Sequence, residues 1–457
     1  MFSNSLVELD RAHLIHPVMS YRGHEAAGVR VIRSGQGTTI TDGEGRTLID
    51  GFAGLWCVNA GYGQKSLIEA ATRQMEELAY ATAYFGCGSE SAIRLSAALA
   101  ERAPGDLNHV YFTLGGSDAV DTTIRFVRYY QHARGKPEKD QFISVERGYH
   151  GSSAVGAGLT ALPIFHAGFG VPLSWQHKIP SHYSYRNPVG ADPAAIIAAS
   201  EAALRAKVAE IGAERVAAFY VEPIQGSGGV LVPPPGWLAA MRALCEDLDI
   251  LFIADEVITG FGRTGPLFMC AEEGIVPDMM TVAKGLTSGY APMGAVFMSD
   301  KLYGTIADAA GSAAVGHGQT YSAHPVSAAI GLAALALYEG GLLENGRAMG
   351  ARLQAGLAGL ADHPLVGEVR GRGMLAGVEL VTDKIRKTPL PAAAEPSRRI
   401  FDRAWNNGLV IRAFGDGMLG FAPPLCCTPA EIDAIVARTR RVLDETLEDA
   451  EIRAVMR

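Results

Sequence analysis

Val110-Tyr-Phe-Thr-Leu-Gly-Gly-Ser117 continues into Asp118-Ala-Val-Asp-Thr-Thr-Ile-Arg125, and this stretch predicts a strand, a glycine turn and a helix. The alternation of β-rich runs with helical stretches extends to about residue 318. The β-rich runs are His109–Thr113, Phe142–Val145, Val216–Val221, Ile250–Ala254 and Met279–Ala283, and the helical stretches include Ser91–Arg102, Asp118–Arg134 and Pro193–Ile211. This order favours an α/β domain whose mostly parallel sheet is flanked by helices.

The chain is too long for one simple core, because 457 residues usually divide into two or three packed lobes. Residues 1–60 carry short β-like pieces between glycine turns, and we expect this N-terminal segment to contribute to a small domain. Residues 61–322 form the predicted large domain. Residues 323–457 are predicted to form the smaller α+β domain, which becomes helical again from Pro429.

Composition argues against several classes of protein. With 48% hydrophobic and 19% charged residues the chain is typical of soluble globular proteins, and its net charge of −8 disfavours nucleic acid and anionic membranes as partners. Six scattered cysteines lack metal-binding spacing, so we expect reduced thiols and no metal site. No signal-peptide pattern opens the sequence, and the apolar run Val326–Tyr338 is shorter than a membrane span. We therefore expect a cytoplasmic protein in which this run is a buried helix.

The first candidate site is the glycine turn at Gly115, Gly116 and Ser117. The free backbone N–H groups and the dipole at the start of a helix suit a phosphate. The alternative is an ordinary helix start at which Ser117 serves as the N-cap. The turn taken alone leaves both interpretations open.

Two apolar strands are followed or closed by a charged residue. Asp255 closes the strand Leu251-Phe-Ile-Ala-Asp255 and could pair with a cationic ring nitrogen, because ligands of open α/β sheets bind at the carboxyl ends of strands. Its alternative role is to cap the next loop. Lys284 follows Met279–Ala283, and a partly desolvated lysine has a lowered pKa and can form a Schiff base. The alternative is a solvated surface lysine.

The three features together predict a site for pyridoxal 5′-phosphate (PLP). They supply a phosphate cradle, a partner for the pyridinium nitrogen and a lysine for the aldehyde, with Asp255 and Lys284 separated by 29 positions (284 − 255). A protonated ring can take up the electron pair left when a substrate Cα–H bond breaks. The sequence therefore predicts a PLP enzyme that moves amino groups.

A family resemblance covers nearly the whole chain. It is carried, in order, by Gly54-Leu-Trp-Cys-Val-Asn-Ala-Gly-Tyr-Gly63, Gly115-Gly-Ser-Asp-Ala-Val-Asp121, Tyr149-His-Gly151, Glu222-Pro-Ile224, Asp255-Glu-Val-Ile-Thr-Gly-Phe-Gly-Arg-Thr-Gly265, Ala283-Lys-Gly-Leu-Thr-Ser-Gly289, Gly318-Gln-Thr-Tyr-Ser-Ala-His-Pro325 and Val410-Ile-Arg412. In these segments the chain resembles the class III aminotransferases of PLP fold type I. Within them it is most similar to the ω-transaminases that use pyruvate as amino acceptor.

The resemblance implies how PLP is held and how the subunits assemble. The implied roles are Gly116 and Ser117 for the phosphate, Tyr149 and Val257 for the two ring faces, Asp255 for the ring nitrogen, Glu222 in support, Lys284 for the covalent link and proton transfer, and Thr320 for the phosphate of the neighbouring subunit. The last role implies a homodimer or a dimer-based tetramer with shared active sites.

The resemblance also implies a substrate pocket. Arg412 matches an arginine that binds a substrate carboxylate and moves aside for an uncharged amine, with a surface ion pair as the alternative. Trp56 and Phe85 match pocket walls, with ordinary core or interface aromatics as the alternative. Ile258 stands where ornithine and γ-aminobutyrate aminotransferases have Gln, which favours the amine–pyruvate group. Val18 stands where some of that group has an aromatic pocket residue, so the preferred amine size stays open.

The predicted reaction transfers an amino group from an amine or ω-amino acid to pyruvate or a similar keto acid, and aromatic amines, β-alanine, taurine and diamines are all possible donors. A fold-type-I decarboxylase, an aminomutase and a non-catalytic PLP-binding protein are the alternatives that keep the cofactor. Gly156-Ala-Gly158-Leu-Thr-Ala161 matches the G-x-G-x-x-A pattern of nucleotide-binding dehydrogenases. It follows no convincing strand, and residues 162–190 contain no acidic residue to hold a ribose, which disfavours that class.

Overall fold

The computed structural model describes residues 2–415 and 417–456. Its N-terminal segment consists of helices α1 (Phe2–His13) and α2 (Tyr21–Ala27), strands β1 (Ile32–Gln36), β2 (Thr39–Asp42) and β3 (Thr47–Asp50), and the short helix α3 (Ala53–Trp56). The three strands form an antiparallel meander. The β-like pieces near residues 38–40 and 47–49 therefore belong to β2 and β3, whereas α1 and α2 were not predicted.

Asp10 connects the first two helices. Its Oδ1 lies 2.8 Å from His16 Nε2 and its Oδ2 lies 2.6 Å from His24 Nε2. The ligand atoms of these three side chains lie within 4.8 Å of one another, a spacing that could also admit a metal ion and that the sequence did not reveal. Each carboxylate oxygen already has a histidine partner, so the group holds α1, the following loop and α2 together without an ion.

The large domain alternates helices and strands along the chain. Its elements are α4 (Lys65–Glu77), α5 (Glu90–Ala100), β4 (His109–Thr113), α6 (Gly116–Ala133), β5 (Gln141–Val145), α7 (Gly156–Leu159), β6 (Gln176–Ile179), α8 (Pro193–Ile211), β7 (Val216–Val221), α9 (Trp237–Asp247), β8 (Leu251–Asp255), α10 (Met269–Glu272), β9 (Met279–Val282), β10 (Gly294–Met298) and α11 (Asp300–Ala310).

These seven strands form one sheet in the order β4-β10-β9-β8-β7-β5-β6. Strand β10 is antiparallel to both of its neighbours, and the other pairs are parallel. Every residue of β7, β8 and β9 is buried, because helices cover both faces of a sheet of this kind. The predicted α/β domain with a mostly parallel sheet is confirmed, and β6 and β10 are additions to it.

The C-terminal part contains α12 (Pro325–Leu337), α13 (Leu343–Ala358), β11 (Val366–Arg372), β12 (Leu375–Asp383), β13 (Thr388–Pro389), α14 (Pro396–Asn406), β14 (Leu409–Val410), β15 (Arg412–Ala413), β16 (Met418–Phe421), α15 (Pro429–Leu447) and α16 (Ala450–Arg453). Strands β11, β12, β16 and β15 form an antiparallel sheet, and β13 adds to β12. Strand β14 pairs in parallel with β3, so the N-terminal segment and the C-terminal part share a sheet. Where the domain boundaries fall stays a prediction.

The stretch Pro325–Ala358 is long and apolar enough, by length and composition alone, to cross a membrane. It is not one regular helix, because Gly341 adopts a φ of 121° between α12 and α13. Helix α12 packs against α4 and α5, and its buried side chains include Val326, Ile330 and Leu335. These contacts make α12 a helix of the protein core.

Candidate active site

Six strands of the large sheet, all except β10, point in the same direction, so their carboxyl ends meet at one edge of the sheet. Five of these strands are closed, or closely followed, by a residue that could bind a ligand or react. In the order β4, β5, β7, β8 and β9, these residues are Gly116, Tyr149, Glu222, Asp255 and Lys284. The fold therefore collects residues that are far apart in the sequence at a single place.

At this edge lies a cavity of about 100 Å³. Its lining consists of Gly116, Ser117, Val120, Tyr149, His150, Gly151, Glu222, Asp255, Val257, Ile258 and Lys284. All the residues that the sequence analysis placed around PLP within one subunit are part of this lining. Trp56, Phe85, Thr320 and Arg412 are not part of it.

Helix α6 begins at this cavity. Its N-cap is Gly115, whose backbone is extended, and no side chain caps the helix. The alternative in which Ser117 is the N-cap is therefore wrong: Ser117 lies in the first turn, where its Oγ accepts a hydrogen bond of 3.2 Å from the Ser152 N–H. The N–H groups of a first helical turn have no partner within the helix, and here they remain available to an anion.

Two glycines keep the approach to these N–H groups open. A Cβ atom on Gly116 would stand 3.0 Å from Val257 Cγ1, and one on Gly151 would stand 2.6 Å from Ser117 Oγ. Gly151 also has a φ of 96°, which disfavours any residue with a side chain. A larger residue at either position would fill the space in which a phosphate could lie.

Asp255 is held by a buried imidazole. Its Oδ2 lies 2.8 Å from His150 Nδ1, and its Oδ1 accepts a hydrogen bond of 3.2 Å from the Val257 N–H. The ring of His150 meets Tyr220 edge-on at 4.8 Å, and its Nε2 has no hydrogen-bond partner among the described residues. The carboxylate therefore has a fixed orientation in a buried setting, as a partner for a cationic ring nitrogen requires.

Glu222 lies next to this pair. Its Oε1 accepts a hydrogen bond of 2.7 Å from the Tyr149 N–H, and its Oε2 accepts one of 2.9 Å from the Gly226 N–H. Burial raises the pKa of the Glu222 carboxyl to about 7, and the nearby charge of Asp255 adds to this although the two N–H donors oppose it. The side chain can therefore gain or lose a proton near neutral pH.

Lys284 has an unusual backbone and an amine without a protein partner. Its φ of 43° lies in the left-handed region, which residues with side chains rarely adopt. Its Nζ makes no hydrogen bond or ion pair with any residue that the structure describes. Burial lowers the pKa of the amine, and the charge of Asp255 offsets part of this effect. Lys284 thus loses its proton more easily than a surface lysine, and the neutral amine can attack an aldehyde and exchange a proton.

The two aromatic residues predicted as pocket walls lie in different surroundings. Trp56 is buried beside the cavity, with ring atom Cζ3 3.3 Å from the point where a Cβ on Gly226 would stand. Phe85 is 93% exposed. In the single chain only Trp56 is placed to limit the space next to the cavity.

Arg412 and Thr320 are both exposed and both lie outside the cavity lining. The guanidinium carbon of Arg412 lies 5.5 Å from the ring centre of Phe414, and Arg412 forms no ion pair with a described residue. The alternative of a surface ion pair is therefore not seen in this part of the chain. The Thr320 carbonyl accepts a hydrogen bond of 2.9 Å from the Tyr80 hydroxyl.

The sequence analysis did not assign a role to His150, although its ring makes the closest side-chain contact to Asp255. A signal was present, because His150 lies in the Tyr149-His-Gly151 segment that supports the resemblance. Its partner could not be read from the sequence, since 105 positions separate it from Asp255 (255 − 150) and only the order of the strands brings them together.

The cavity has the three attachments that PLP requires. The first turn of α6 offers N–H groups to a phosphate, Asp255 faces the cavity as a fixed carboxylate, and Lys284 offers an amine with no protein partner. A mostly parallel sheet with this set at its carboxyl edge defines a PLP-dependent enzyme of fold type I.

Comparison with known proteins gives the family. The model of the aminotransferase class-III family matches residues 21–443. The putrescine–pyruvate aminotransferase of Pseudomonas aeruginosa is 41% identical over 442 residues, which cover 96% of this chain and 95% of that protein. The chain belongs to the class III aminotransferases, which use PLP, and it is an aminotransferase.

Two solved structures extend the likeness to the whole fold. An (S)-enantioselective ω-transaminase from Thermomicrobium roseum has a TM-score of 0.94 at 39% identity, covering 98% of this chain and 99% of that one. The ω-transaminase from Pseudomonas jessenii in complex with PMP has a TM-score of 0.95 at 38% identity, covering 97% and 98% of the two chains.

We predict that Lys284 carries the cofactor. Lys284→Ala should abolish the covalent attachment of PLP that borohydride can trap and nearly all turnover, because no other described lysine lines the cavity. Lys178→Ala is the matched control, since burial also lowers the pKa of Lys178 but its amine donates a hydrogen bond to the Gly158 carbonyl. Peptide mapping of the reduced wild-type enzyme checks the position. A pyridoxyl group on any other lysine would show that the assignment is wrong.

We predict that Glu222 makes the stability of the cofactor-free protein depend on pH. The folded pKa of about 7 lies above the ordinary value of 4.5, so the stabilising effect of the protonated form is complete below pH 4.5 and is lost as pH rises through 7. The loss is on the order of 1–3 kcal/mol. Urea unfolding at several pH values should show a smaller decrease for Glu222→Gln than for the wild type. Identical pH profiles for both proteins would contradict the prediction, since other titrating groups are common to both.

Proposed function

We propose that the enzyme transfers an amino group from an amine or ω-amino acid to pyruvate or a similar keto acid. Two observations from relatives support this reaction: a putrescine–pyruvate aminotransferase and several ω-transaminases resemble the chain over almost its whole length. The observation on this chain that carries the proposal is the setting of Arg412.

The two substrates of such a reaction differ in charge. The keto acid has a carboxylate, whereas a simple amine donor has none, and a fixed buried arginine would be left unpaired whenever the amine is bound. Arg412 avoids this cost because it is exposed, stacks on Phe414 at 5.5 Å and has no ion-pair partner among the described residues. The ring of Phe414 in turn lies 6.3 Å from that of Trp56, so a short series of ring contacts connects Arg412 to Trp56.

The residues that line the cavity would have separate roles in this reaction. Bound PLP supplies an electron sink for the pair released when a substrate Cα–H bond breaks. The carboxylate of Asp255, oriented by His150, would keep the ring nitrogen protonated, and the N–H groups at Gly116 and Ser117 would hold the phosphate. Lys284 would accept the Cα proton at Nζ and deliver it to the cofactor's C4′, and the half-reaction with the keto acid would run the same transfer in reverse.

The side walls complete the site. Tyr149 and Val257 line the cavity and would pack against the two ring faces, and Glu222 supports the loop of Tyr149 through that residue's N–H. The relatives that resemble the chain are a putrescine–pyruvate aminotransferase and ω-transaminases, which supports transamination over the decarboxylase, aminomutase and dehydrogenase alternatives. The amine donor is the open choice among aromatic amines, β-alanine, taurine and diamines.

We predict that Arg412 serves the keto acid and not the amine. The wild type should form alanine from pyruvate with at least one donor from a panel of 1-phenylethylamine, putrescine, β-alanine and taurine. Arg412→Ala should lower kcat/KM for pyruvate by roughly 10- to 100-fold, the value of a hydrogen-bonded charge pair. The half-reaction with an uncharged amine should change by less than about threefold, since no carboxylate is bound in it.

Arg412→Lys is the matched variant for this experiment, because it keeps the charge and loses the planar fork that binds a carboxylate in two places. Its pyruvate kcat/KM should fall between those of the wild type and Arg412→Ala. Equal losses in the amine and keto-acid halves would count against the proposed role. Absence of alanine with every donor would overturn the pyruvate-linked reaction itself.

We also propose that the working unit is a homodimer, or a tetramer built from dimers, with shared active sites. Thr320 is exposed and lies outside the cavity of its own chain, and the large aromatic ring of Phe85 is 93% exposed. A second copy that covered Phe85 could receive Thr320 at its phosphate end. PLP that binds only the assembled form would then stabilise the assembly by mass action.

We predict complementation between two defective chains. The Thr320→Ala variant is first assayed alone to show that it is severely impaired. Its assembly is then dissociated and reassembled together with Lys284→Ala chains. A heterodimer with shared sites collects both defects in one site and leaves the other intact, so part of the activity returns. Lys284→Ala mixed with Asp255→Asn is the control without recovery, since both residues line the cavity of one chain. A fully active monomer in sedimentation at the assay concentration would rule out the shared site.

A further inference from the structure

The chain between Asp50 and Tyr62, named here the wall loop, carries Trp56 to the side of the cavity. Its backbone is held in an unfavourable shape, because Ala53, Gly54 and Trp56 have φ values of 48°, 68° and 59°. Ala53 and Trp56 have side chains, and such residues adopt the left-handed region only where surrounding contacts impose it. Some part of the structure must therefore hold the loop.

The contacts that hold the loop converge on Asp50. This residue ends β3 and is 1% exposed. Its Oδ1 accepts a hydrogen bond of 3.0 Å from the Phe52 N–H, and its Oδ2 accepts one of 2.6 Å from the Gly54 N–H. The same Oδ2 accepts a third hydrogen bond of 2.6 Å from the hydroxyl of Tyr62. One buried carboxylate thus joins the beginning of the wall loop to its end.

The ring of Tyr62 is fixed independently of its hydroxyl. A Cβ atom on Gly35 would stand 2.7 Å from Tyr62 Cγ, so the ring packs directly on strand β1. The backbone N–H and carbonyl of Tyr62 both pair with Gly37, at 2.8 and 2.9 Å. Removing the hydroxyl should therefore break the bond to Asp50 and leave the ring in place.

The backbone N–H of Trp56 donates a hydrogen bond of 3.0 Å to the Phe52 carbonyl, but the side chain of Trp56 is not held by hydrogen bonding. Its Nε1 is buried without a partner among the described residues, and its ring contacts are apolar, with Phe52 at 4.9 Å and Phe414 at 6.3 Å. Its approach to Gly226 depends on where the backbone of the wall loop runs. That course is set by the carboxylate of Asp50.

The wall loop also lies between the other parts of the site. The Ala60 N–H donates a hydrogen bond of 2.8 Å to Ser288 Oγ in the turn that follows Lys284. In the sheet, Asp50 pairs with Val410, two positions before Arg412. The wall loop is therefore bonded to the turn after Lys284, and the backbone of Asp50 to the strand before Arg412, and neither contact involves the Tyr62 hydroxyl.

We propose that Asp50 and Tyr62 are positioning residues that hold Trp56 against the cavity and thereby set which amines the enzyme accepts. This inference rests on the proposed amine-dependent reaction and names the residues that determine its specificity for amines. Neither residue touches the cavity, so both act through the wall loop. Weakening the bond between them allows Trp56 to move, which alters the space for the side group of the amine and leaves the keto-acid contacts unchanged.

The test uses two uncharged amines that the wild-type holoenzyme accepts, one bulky and one small, with pyruvate as acceptor. In Tyr62→Phe the ratio of kcat/KM for the bulky and the small amine should change roughly three- to tenfold, the net effect of one ordinary hydrogen bond. The change should appear in the KM of the bulky amine. The KM of pyruvate and the visible absorption of the bound cofactor should stay as in the wild type.

Two further variants separate positioning from general loosening. Tyr290→Phe removes a hydroxyl that bonds the backbone of Gly61, near the end of the wall loop, and of Gln64 beyond it. This hydroxyl makes no bond to Asp50, so the ratio should stay unchanged. In a Trp56→Ala background, Tyr62→Phe should have no further effect on the ratio, because the side chain that it positions is gone. An unchanged ratio in Tyr62→Phe, or the same change in the Trp56→Ala background, overturns the inference. If the proposed reaction itself is wrong, the wild type forms no alanine from pyruvate with any amine, a result that does not depend on the variants.

Discussion

Glu222, Asp255 and Lys284 share one buried edge of the large sheet, and the cost of removing charged groups from water governs the structure around them. Glu222 is satisfied by two backbone N–H groups, and Asp255 by the ring of His150 and one N–H. Lys284 has no such partner in the described chain. Both carboxyl groups therefore have partners, and the amine of Lys284 has none among the described residues. An aldehyde would take up this amine, and a cationic ring nitrogen would pair with the charge of Asp255.

The strand ends at Asp255 and Lys284 could be predicted because their signal is local: an apolar run stops at a charged residue. The same reasoning located β4, β7 and α8 at their observed bounds. It missed β6, whose sequence Gln176-His-Lys-Ile179 is polar because the strand lies at an edge of the sheet. It also missed β10, which enters the sheet antiparallel between β4 and β9, an arrangement that no local pattern indicates.

Residues whose position depends on distant contacts were harder to predict. The contact of His150 with Asp255 requires the strand order β5, β7, β8. The helix start at Gly115 shows a different limit, since serine is only statistically preferred as an N-cap and the extended backbone of the glycine decides the outcome. The left-handed backbone of Trp56 is likewise invisible in the sequence, because it depends on contacts of the folded loop, among them the hydrogen bond from the Gly54 N–H to Asp50.

The surroundings of Phe85 and Thr320 also depend on contacts that are not local in the sequence. The resemblance placed Phe85 at a pocket wall, yet in the single chain its ring is 93% exposed, and Thr320 lies outside the cavity that Lys284 lines. A large apolar ring in water is unfavourable, and a surface that covers it gains from its burial. If a second copy supplies that surface, Phe85 becomes part of a substrate-pocket wall, and Thr320 contacts the phosphate in the site of the other copy. The same contact that removes the exposed ring would then complete the active site, which explains why neither residue could be placed from one chain alone.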